Sequence, residues 1–457
     1  MKKLLLLSFA IGIIACKEEP KDFAIVSGKI TNKQNIFTIN SMDREFIDTL
    51  TVDNDGTFMD TLRVKAGQYM FYDGKNFAPF YIENGNNIKI TYDANDFLNT
   101  LNFSGEGSQI STYLKEKRAI EKELTKNGSV SNVYLLEEAA YKETFNKVKD
   151  SLTAYLTSIN NIPDSFKEKE KRNLNYSYLA KLNIYKPYHS YYAKKPDLEL
   201  SENFLSDLEG LDYTSEEDFD FSNDYADLVG SHYRKLAEEI VKTDSIPEDV
   251  ANLKAISAAE SELIKNKLLY DNAKYGITYT ENLEDFYTTY MDNSTNDVHK
   301  AAITKSYDIL KTIDKGSPSP KFVDYENYNG GTTSLDDLKG KYVYIDVWAT
   351  WCGPCKAEIP FLKEVEEKYH GKNIEFVSIS IDKSDDHDKW KKMIEEKEMG
   401  GMQLFADNDW KSKFVEDYLI KGIPRFILID TEGNIISSNA PRPSDSKLID
   451  LFNKYNI

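Results

Sequence analysis

A pair of cysteines between a buried strand and an amphipathic helix constrains the fold of this chain more than any other feature of its sequence. Tyr342–Trp348 is an apolar run rich in β-branched and aromatic residues, which predicts a buried central strand. A Cys-Gly-Pro-Cys segment follows, from Cys352 to Cys355, and Lys356–Tyr369 has the periodicity of an amphipathic helix. The sequence therefore predicts an α/β domain in which both cysteines lie where a strand ends and a helix begins.

This position favours thiol chemistry. The first backbone N–H groups of a helix have no partner within the helix, and they stabilise a negative charge at the helix N-terminus. A thiolate at Cys352 would accept hydrogen bonds from these groups, and its pKa should fall below the ~8.5 of a free cysteine. Cys355 follows one helical turn later, within reach of the Cys352 sulfur. We therefore predict that Cys352 attacks a disulfide and that Cys355 resolves the resulting mixed disulfide.

A zinc site is the main alternative for two cysteines with this spacing. Zinc needs four ligands, but the only other cysteine in the sequence is Cys16, near the N-terminus. His370 and His387 lack the spacing of a second ligand pair. We predict neither a metal nor any other cofactor.

The N-terminus has the pattern of a targeting segment. The apolar run Leu4–Ala15 is too short to cross a hydrocarbon core of about 30 Å, but it suits the apolar region of a signal peptide. It ends directly before Cys16 and resembles the lipobox of bacterial lipoproteins. We expect residues 1–15 to be a lipoprotein signal peptide, Cys16 to carry the lipid and residues 16–23 to form a tether. A plain signal peptide followed by an unrelated cysteine is the alternative.

Two further regions precede the cysteine-containing domain. Residues 24–105 alternate between apolar and polar positions and contain turn sequences, which predicts a β-rich domain, with one hairpin over Ile47–Val64. Residues 106–315 show apolar positions every three or four residues, which predicts an α-helical region that includes one helix over Asp249–Asn272. A linker rich in proline follows, so the third domain is expected to span residues 316–457. The chain is therefore predicted to be multidomain.

The charge of the chain excludes some partners. The sequence has 57 Lys and Arg against 76 Asp and Glu, a net charge of −19. Nucleic acids and anionic membrane surfaces require basic patches, so binding to either through such a patch is not expected.

The C-terminal motifs resemble a known family. Tyr344–Cys355 reads YIDVWATWCGPC and strongly resembles thioredoxin, and the continuation Lys356–Pro360 resembles the TlpA/ResA branch of exported thioredoxin-like proteins. Leu335–Lys341 resembles the start of that domain, and Gly422–Pro424 matches the place of the family's cis-proline. The resemblance covers residues 316–457 and implies a thioredoxin-like fold with thiol–disulfide oxidoreductase activity. Residues 24–105 resemble the small β-sandwich domain found at the N-terminus of such exported lipoproteins.

The resemblance assigns acid–base roles to two carboxylates. Asp346 lies six residues before Cys352, where thioredoxins keep a buried acid, and burial would raise its pKa towards neutrality. Glu358 lies three residues after Cys355, where the exported branch keeps its own acid. The presence of both departs from that branch, so which acid moves protons stays open. A structural, hydrogen-bonded role is the alternative for Asp346, and a solvated helix-face charge is the alternative for Glu358.

The resemblance also assigns substrate binding. A cis bond between Ile423 and Pro424 would hold the Ile423 backbone beside Cys352, where an extended substrate segment can pair with it. Ser444, after the last strand, is expected to cap the final helix. Further substrate-binding positions are Trp351, Gly353 and Pro354.

The resulting functional hypothesis is an enzyme of the cell envelope. It would be lipid-anchored, would face the periplasm or the cell surface, and would reduce or exchange disulfides in envelope proteins. A membrane electron donor would regenerate its dithiol. An oxidase is the second possibility, although Gly353 and Pro354 between the cysteines favour reduction. The alternative of a different class is a binding lipoprotein that acts as an adaptor on a thioredoxin-like scaffold.

Overall fold

A computed structural model describes residues 21–33, 36–42, 46–129 and 133–457. The chain forms two compact units, Met1–Val229 and Gly230–Ile457. The predicted signal peptide and its Cys16 lie outside the described residues. Within the described ranges, every helix is too short or too polar to span a membrane.

The first unit begins with two four-stranded sheets that enclose one hydrophobic core. The order of the first sheet is β4-β1-β7-β8, in which β1 runs antiparallel to β4 and parallel to β7, and the order of the second is β3-β2-β5-β6. The strands are β1 Ala24–Thr31, β2 Thr38–Ser41, β3 Ile47–Thr49, β4 Thr57–Leu62, β5 Gly67–Tyr72, β6 Phe77–Ile82, β7 Asn87–Asp93 and β8 Asn102–Glu106. Alternate residues point inward, so Val26 and Ile90 of one sheet share a core with Phe71 and Phe80 of the other.

The predicted hairpin over Ile47–Val64 is wrong. The turn exists, because the Gly56 N–H donates to the Asp53 carbonyl over 2.9 Å. However, β3 pairs with β2 in one sheet and β4 pairs with β1 in the other, so the turn connects two sheets. Alternation of apolar residues indicates that each segment is a strand, but it does not specify which partner the strand pairs with.

The rest of the first unit is mainly helical, and one short helix precedes β8. Among the described residues, the helices include α1 Phe97–Thr100, α2 Ser108–Leu124, α3 Glu138–Ser158, α4 Asp164–Tyr192, α5 Glu216–Phe221 and α6 Asn223–Asp244. In α3 the buried face consists of Tyr141, Phe145, Val148, Leu152 and Leu156, as the spacing of apolar residues predicts.

The second unit contains the end of α6 and four more helices before its sheet. These helices are α7 Glu248–Ser257, α8 Glu262–Gly276, α9 Leu283–Asn293 and α10 Asp297–Thr312. The prediction of one helix over Asp249–Asn272 is wrong, because this segment forms two helices, α7 and α8, with a short non-helical stretch between them. The Ser261 hydroxyl accepts from the Ile264 N–H over 3.1 Å and thereby caps α8.

A seven-stranded mixed sheet forms the rest of the second unit. Its order is β10-β9-β13-β12-β11-β14-β15, and β11 runs parallel to β12 and antiparallel to β14. The strands are β9 Tyr325–Asn327, β10 Thr332–Thr333, β11 Tyr342–Trp348, β12 Ile374–Ser380, β13 Met402–Phe405, β14 Arg425–Ile429 and β15 Ile435–Ser437. The accompanying helices are α11 Gly353–Lys368, α12 His387–Lys397, α13 Lys413–Asp417 and α14 Lys447–Lys454. The predicted buried strand is β11, whose residues are buried from Val343 onward.

The division into units does not follow the predicted boundary at residue 316. The unit boundary falls within α6, and residues 230–312 belong to the same unit as the seven-stranded sheet. Hydrogen bonds from Lys421, in the loop before β14, join these helices to the sheet.

Candidate redox site

The two cysteines form a disulfide at the start of α11, directly beyond the carboxyl end of β11. Cys352 is the N-cap residue of α11, and its Sγ accepts from the Cys355 N–H over 3.1 Å. Pro354 lies in the first turn, where its missing N–H leaves no helical hydrogen bond unmade. Both sulfur-bearing side chains are buried, with 4% of Cys352 and 2% of Cys355 exposed. The helix N-terminus therefore faces the Cys352 sulfur.

A buried carboxylate holds the turn that precedes the cysteines. Asp382 accepts from the Thr350 N–H over 2.9 Å and from the Thr350 hydroxyl over 2.7 Å. Ser380 also donates to this carboxylate over 2.7 Å. Asp382 was not predicted from the sequence. Its signal was available, because it follows β12, and parallel neighbouring strands end at the same edge of a sheet.

Asp346 lies on β11, six residues before Cys352, and only 5% of it is exposed. Its Oδ1 has no hydrogen-bond partner among the described residues. Burial raises the pKa of Asp346 to about 8, and the negative charges of Glu358 and Glu366 contribute to this increase. A carboxyl group with such a pKa can accept and return a proton near neutral pH.

Glu358 lies on α11 and is held by two hydrogen bonds. Its Oε2 accepts from the Ser444 N–H over 3.0 Å and its Oε1 accepts from the Ser444 hydroxyl over 2.9 Å. Only 7% of Glu358 is exposed, so the alternative of a solvated helix-face charge is wrong. The prediction that Ser444 caps the last helix is also wrong. Its hydroxyl is bonded to Glu358, and Ser446 occupies the N-cap position of α14.

A third acid, Glu366, lies two turns after Glu358 on the same helix and was not predicted. Burial raises the pKa of Glu366 to about 7, and the positive charge of Lys363 opposes this increase. A Cβ added at Gly400 would meet the Glu366 carboxylate, so the glycine allows the chain to pass close to the acid. Glu366 lies eight residues after Glu358, and residues at this spacing lie on the same side of a helix. This spacing could have indicated in the sequence that Glu366 lies on the same helix face as Glu358.

The structure places the predicted cis-proline at the same edge of the sheet as the cysteines. The Ile423–Pro424 bond is cis. Arg425, the first residue of β14, pairs with Val347 near the end of β11, so Pro424 lies beside the turn that carries the disulfide. Trp351 is 54% exposed, and a Cβ added at Gly353 would meet no atom within 4 Å. The rim of the site is therefore open at Trp351 and Gly353.

Within the described residues, no three histidine, cysteine, aspartate or glutamate side chains are grouped as metal ligands.

Known proteins resemble the C-terminal part of the second unit, which contains the redox site. The crystal structure of the thioredoxin domain of a thiol-disulfide oxidoreductase from Bacteroides vulgatus is 31% identical, and the match covers 31% of this chain and 97% of that one, with a TM-score of 0.28. The Redoxin family model matches residues 314–450.

Two curated relatives are named as enzymes. Thiol-disulfide oxidoreductase ResA of Bacillus subtilis (strain 168) is 28% identical over 145 residues, which cover 31% of this chain and 76% of the relative. ResA of Bacillus thuringiensis (strain Al Hakam) is 31% identical over 121 residues, which cover 26% of this chain and 66% of the relative. These matches confirm the resemblance predicted from the cysteine motif. Residues 314–450 therefore form a domain of the ResA/TlpA-like branch of the thioredoxin family, and the chain is a thiol–disulfide oxidoreductase.

Proposed function

We propose that this chain is exported, is lipid-anchored through Cys16, and reduces or exchanges disulfides in cell-envelope proteins through Cys352 and Cys355. The observation that carries the redox part is the N-cap position of Cys352, whose sulfur accepts the Cys355 N–H at the start of α11. The apolar run that ends directly before Cys16 supports export and membrane anchoring. The anchored protein would face the periplasm or the cell surface.

The first step is attack by Cys352. In the reduced protein its thiolate is stabilised by the helix N-terminus and attacks one sulfur of a substrate disulfide. The substrate S–S bond breaks, the departing sulfur leaves as a thiolate and takes up a proton, and a mixed disulfide links Cys352 to the substrate. Only 4% of Cys352 is exposed, so a protein substrate would reach its sulfur from the open rim at Trp351 and Gly353.

The second step is resolution by Cys355. Its thiolate attacks the Cys352 sulfur and releases the second substrate thiol, so two electrons pass to the substrate and the protein is left with the Cys352–Cys355 disulfide. A buried Cys355 needs a nearby base to lose its proton. Asp346 suits this role because burial raises its pKa to about 8 and one of its oxygens has no partner among the described residues.

Glu358 has a different role in this proposal. Both of its carboxylate oxygens accept hydrogen bonds from Ser444, which fixes the position of its charge. That charge contributes to the raised pKa of Asp346. Glu358 therefore helps to raise the pKa of Asp346, and Asp346 transfers the proton in this proposal.

In this proposal the surface beside Pro424, which we call the substrate groove, binds the substrate chain. The cis bond precedes β14, and an extended segment can pair with the Ile423 backbone as an added strand. After each turnover a membrane electron donor would reduce the Cys352–Cys355 disulfide and regenerate the dithiol.

A trapping experiment tests the proposal. The Cys355→Ala variant cannot resolve the mixed disulfide, so cell-envelope proteins should stay covalently attached to Cys352 and separate from it only under reducing conditions. The matched control is the Cys352→Ala/Cys355→Ala double variant, which should trap none. Partners that bind both variants equally without a covalent bond would indicate an adaptor and would contradict the proposed enzyme.

A further inference from the structure

The second unit has a helical segment, α7 to α10, before its sheet. A loop of this helical segment contacts the strand that follows the cis-proline. The loop joins α8 to α9 and includes Thr278 and Tyr279. The Arg425 guanidinium donates to the Thr278 carbonyl over 2.6 Å and to the Thr278 hydroxyl over 3.1 Å. The centre of the same guanidinium lies 4.0 Å from the centroid of the Tyr279 ring, within the range of a cation–π interaction. Arg425 directly follows Pro424, so the loop is attached beside the site.

The burial of Arg425 makes its few polar contacts important, because its Nε has no hydrogen-bond partner among the described residues. Only 3% of the residue is exposed, and its side-chain hydrogen bonds among the described residues are the two to Thr278. No carboxylate in the described ranges forms an ion pair with it. A guanidinium buried without these partners would lose its hydration, and no hydrogen bonds within the protein would compensate for that loss. The loop and the start of β14 are therefore expected to move together.

Two further contacts attach the helical segment on either side of the cis bond. Lys421 donates to the Lys274 carbonyl over 2.9 Å and to the Ser306 hydroxyl over 3.2 Å. The Asn439 side chain donates to the Tyr279 carbonyl over 2.8 Å. The position of Tyr279 is thus fixed through its own backbone as well as through its ring.

Tyr279 covers the residue that precedes the cis dipeptide. A Cβ added at Gly422 would lie 2.6 Å from the Tyr279 hydroxyl oxygen, so the hydroxyl lies directly against Gly422. At the same time 37% of Tyr279 is exposed. A substrate chain that pairs with Ile423 and continues past Gly422 would meet this exposed part of the ring.

We propose that Tyr279 forms one wall of the substrate groove and selects extended polypeptide disulfides over small ones, while Arg425 is a positioning residue that holds it there. The inference rests on the proposed function. An aromatic ring with a hydroxyl offers apolar contact to residues that flank the substrate cysteine and a hydrogen bond to their backbone. The exposed Trp351, next to Cys352, adds a second aromatic surface. The favoured substrate therefore has apolar side chains beside its cysteine.

The first test compares a protein and a small disulfide in the full chain. For Tyr279→Ala we expect kcat/KM for insulin reduction to fall about tenfold, mostly through KM, which corresponds to about 1.4 kcal/mol of lost binding. Reduction of glutathione disulfide should not change, because that substrate ends before it reaches Tyr279. Tyr275→Ala is the matched control, since Tyr275 lies one turn earlier and is 52% exposed.

A second pair of variants tests the contact itself. The backbone of Gly422 is outside the positive-φ region, so alanine there is opposed mainly by the Tyr279 hydroxyl. Gly422→Ala should weaken insulin reduction, and combining it with Tyr279→Phe should restore part of the loss. Arg425→Lys keeps the charge but loses the two-pronged contact with Thr278. It should raise KM for insulin while leaving kcat and the reduction potential of the disulfide unchanged.

The outcomes separate this inference from the proposed function. Equal losses on insulin and glutathione disulfide in Tyr279→Ala would show an effect on the redox centre and would overturn the selectivity role. No loss on either substrate would overturn it as well. If Tyr279→Ala does not fold, the Gly422 and Tyr279→Phe variants decide, and the absence of any rescue overturns the contact. A wild-type chain that reduces neither substrate would overturn the proposed function and this inference with it.

Discussion

Replacement of Asp346 by asparagine should increase the stability of the second unit, relative to the wild type, as the pH rises from 5 to 8. The acid is buried on β11, and burial raises its pKa to about 8 from an ordinary 3.8. The folded protein thus keeps the proton over a pH range in which the unfolded chain has lost it. Below about pH 4 both states are protonated and the group costs no stability. Stability then falls as the pH rises towards 8, and the loss is constant above that.

The expected size follows from the same two values. A tenfold change in a proton equilibrium is about 1.4 kcal/mol, so the gap between 3.8 and about 8 corresponds to a loss on the order of 5 kcal/mol at high pH. Between pH 5 and pH 8 the predicted loss is roughly 3 to 4 kcal/mol. Asp346→Asn removes this titration, so its stability relative to the wild type should increase by that amount over the same interval.

Denaturant unfolding of the oxidised full chain measures this difference. All four tryptophans lie between Trp348 and Trp410, so tryptophan fluorescence reports on the second unit. Comparison of the two pH values cancels any constant cost of burying the amide. Glu364→Gln, at an exposed position of α11, controls for the removal of one negative charge. If Asp346→Asn and the wild type differ equally at pH 5 and pH 8, Asp346 is not a buried neutral acid.

Three other predictions concern the cysteines and the turn before them. Iodoacetamide at pH 7 should modify Cys352 of the reduced protein before Cys355, because Cys352 caps α11 and Cys355 lies inside its first turn. Peptide mass mapping measures both rates, and equal rates would contradict the predicted difference between the two cysteines. Asp382→Ala leaves the buried Thr350 N–H without its partner and should lower the free energy of unfolding by roughly 2 to 3 kcal/mol, whereas Asp385→Ala, at an exposed position nearby, should have little effect. Cys16→Ala should leave a soluble or unprocessed protein in cell fractionation, and full membrane partition at an unchanged mature size would refute the proposed anchor.

The redox turn could be predicted from the sequence because its determinants are local. A buried strand, two cysteines, a proline in the first helical turn and an amphipathic helix all fall between Tyr342 and Tyr369. Each element indicates its own type through its periodicity, and their order fixes where the cysteines lie. The burial of Asp346 was also predictable, because the residue lies within the run that was predicted to form a buried strand.

The errors occurred where a choice depends on distant partners. The segment before Gly56 and the segment after it each have the alternation of a strand, but their pairing with β2 and β1 is decided by packing. Ser444 has the composition of a helix cap, but Glu358 lies 86 residues away in sequence and accepts both of its hydrogen bonds. A short polar side chain can satisfy either partner, and only the folded structure decides between them.

The contact between Arg425 and Thr278 could not have been predicted for the same reason. Under the proposed selectivity role, it places the start of the functional unit before residue 316. The two residues are 147 positions apart, and a boundary at 316 separates them. The Redoxin match begins at residue 314 and so does not include Thr278 or Tyr279. A fragment cut at that boundary would retain both cysteines and Pro424 but would expose a guanidinium that the full chain buries. Under the proposed selectivity role, such a fragment would still carry out thiol exchange but would discriminate less between polypeptide and small disulfides than the full chain.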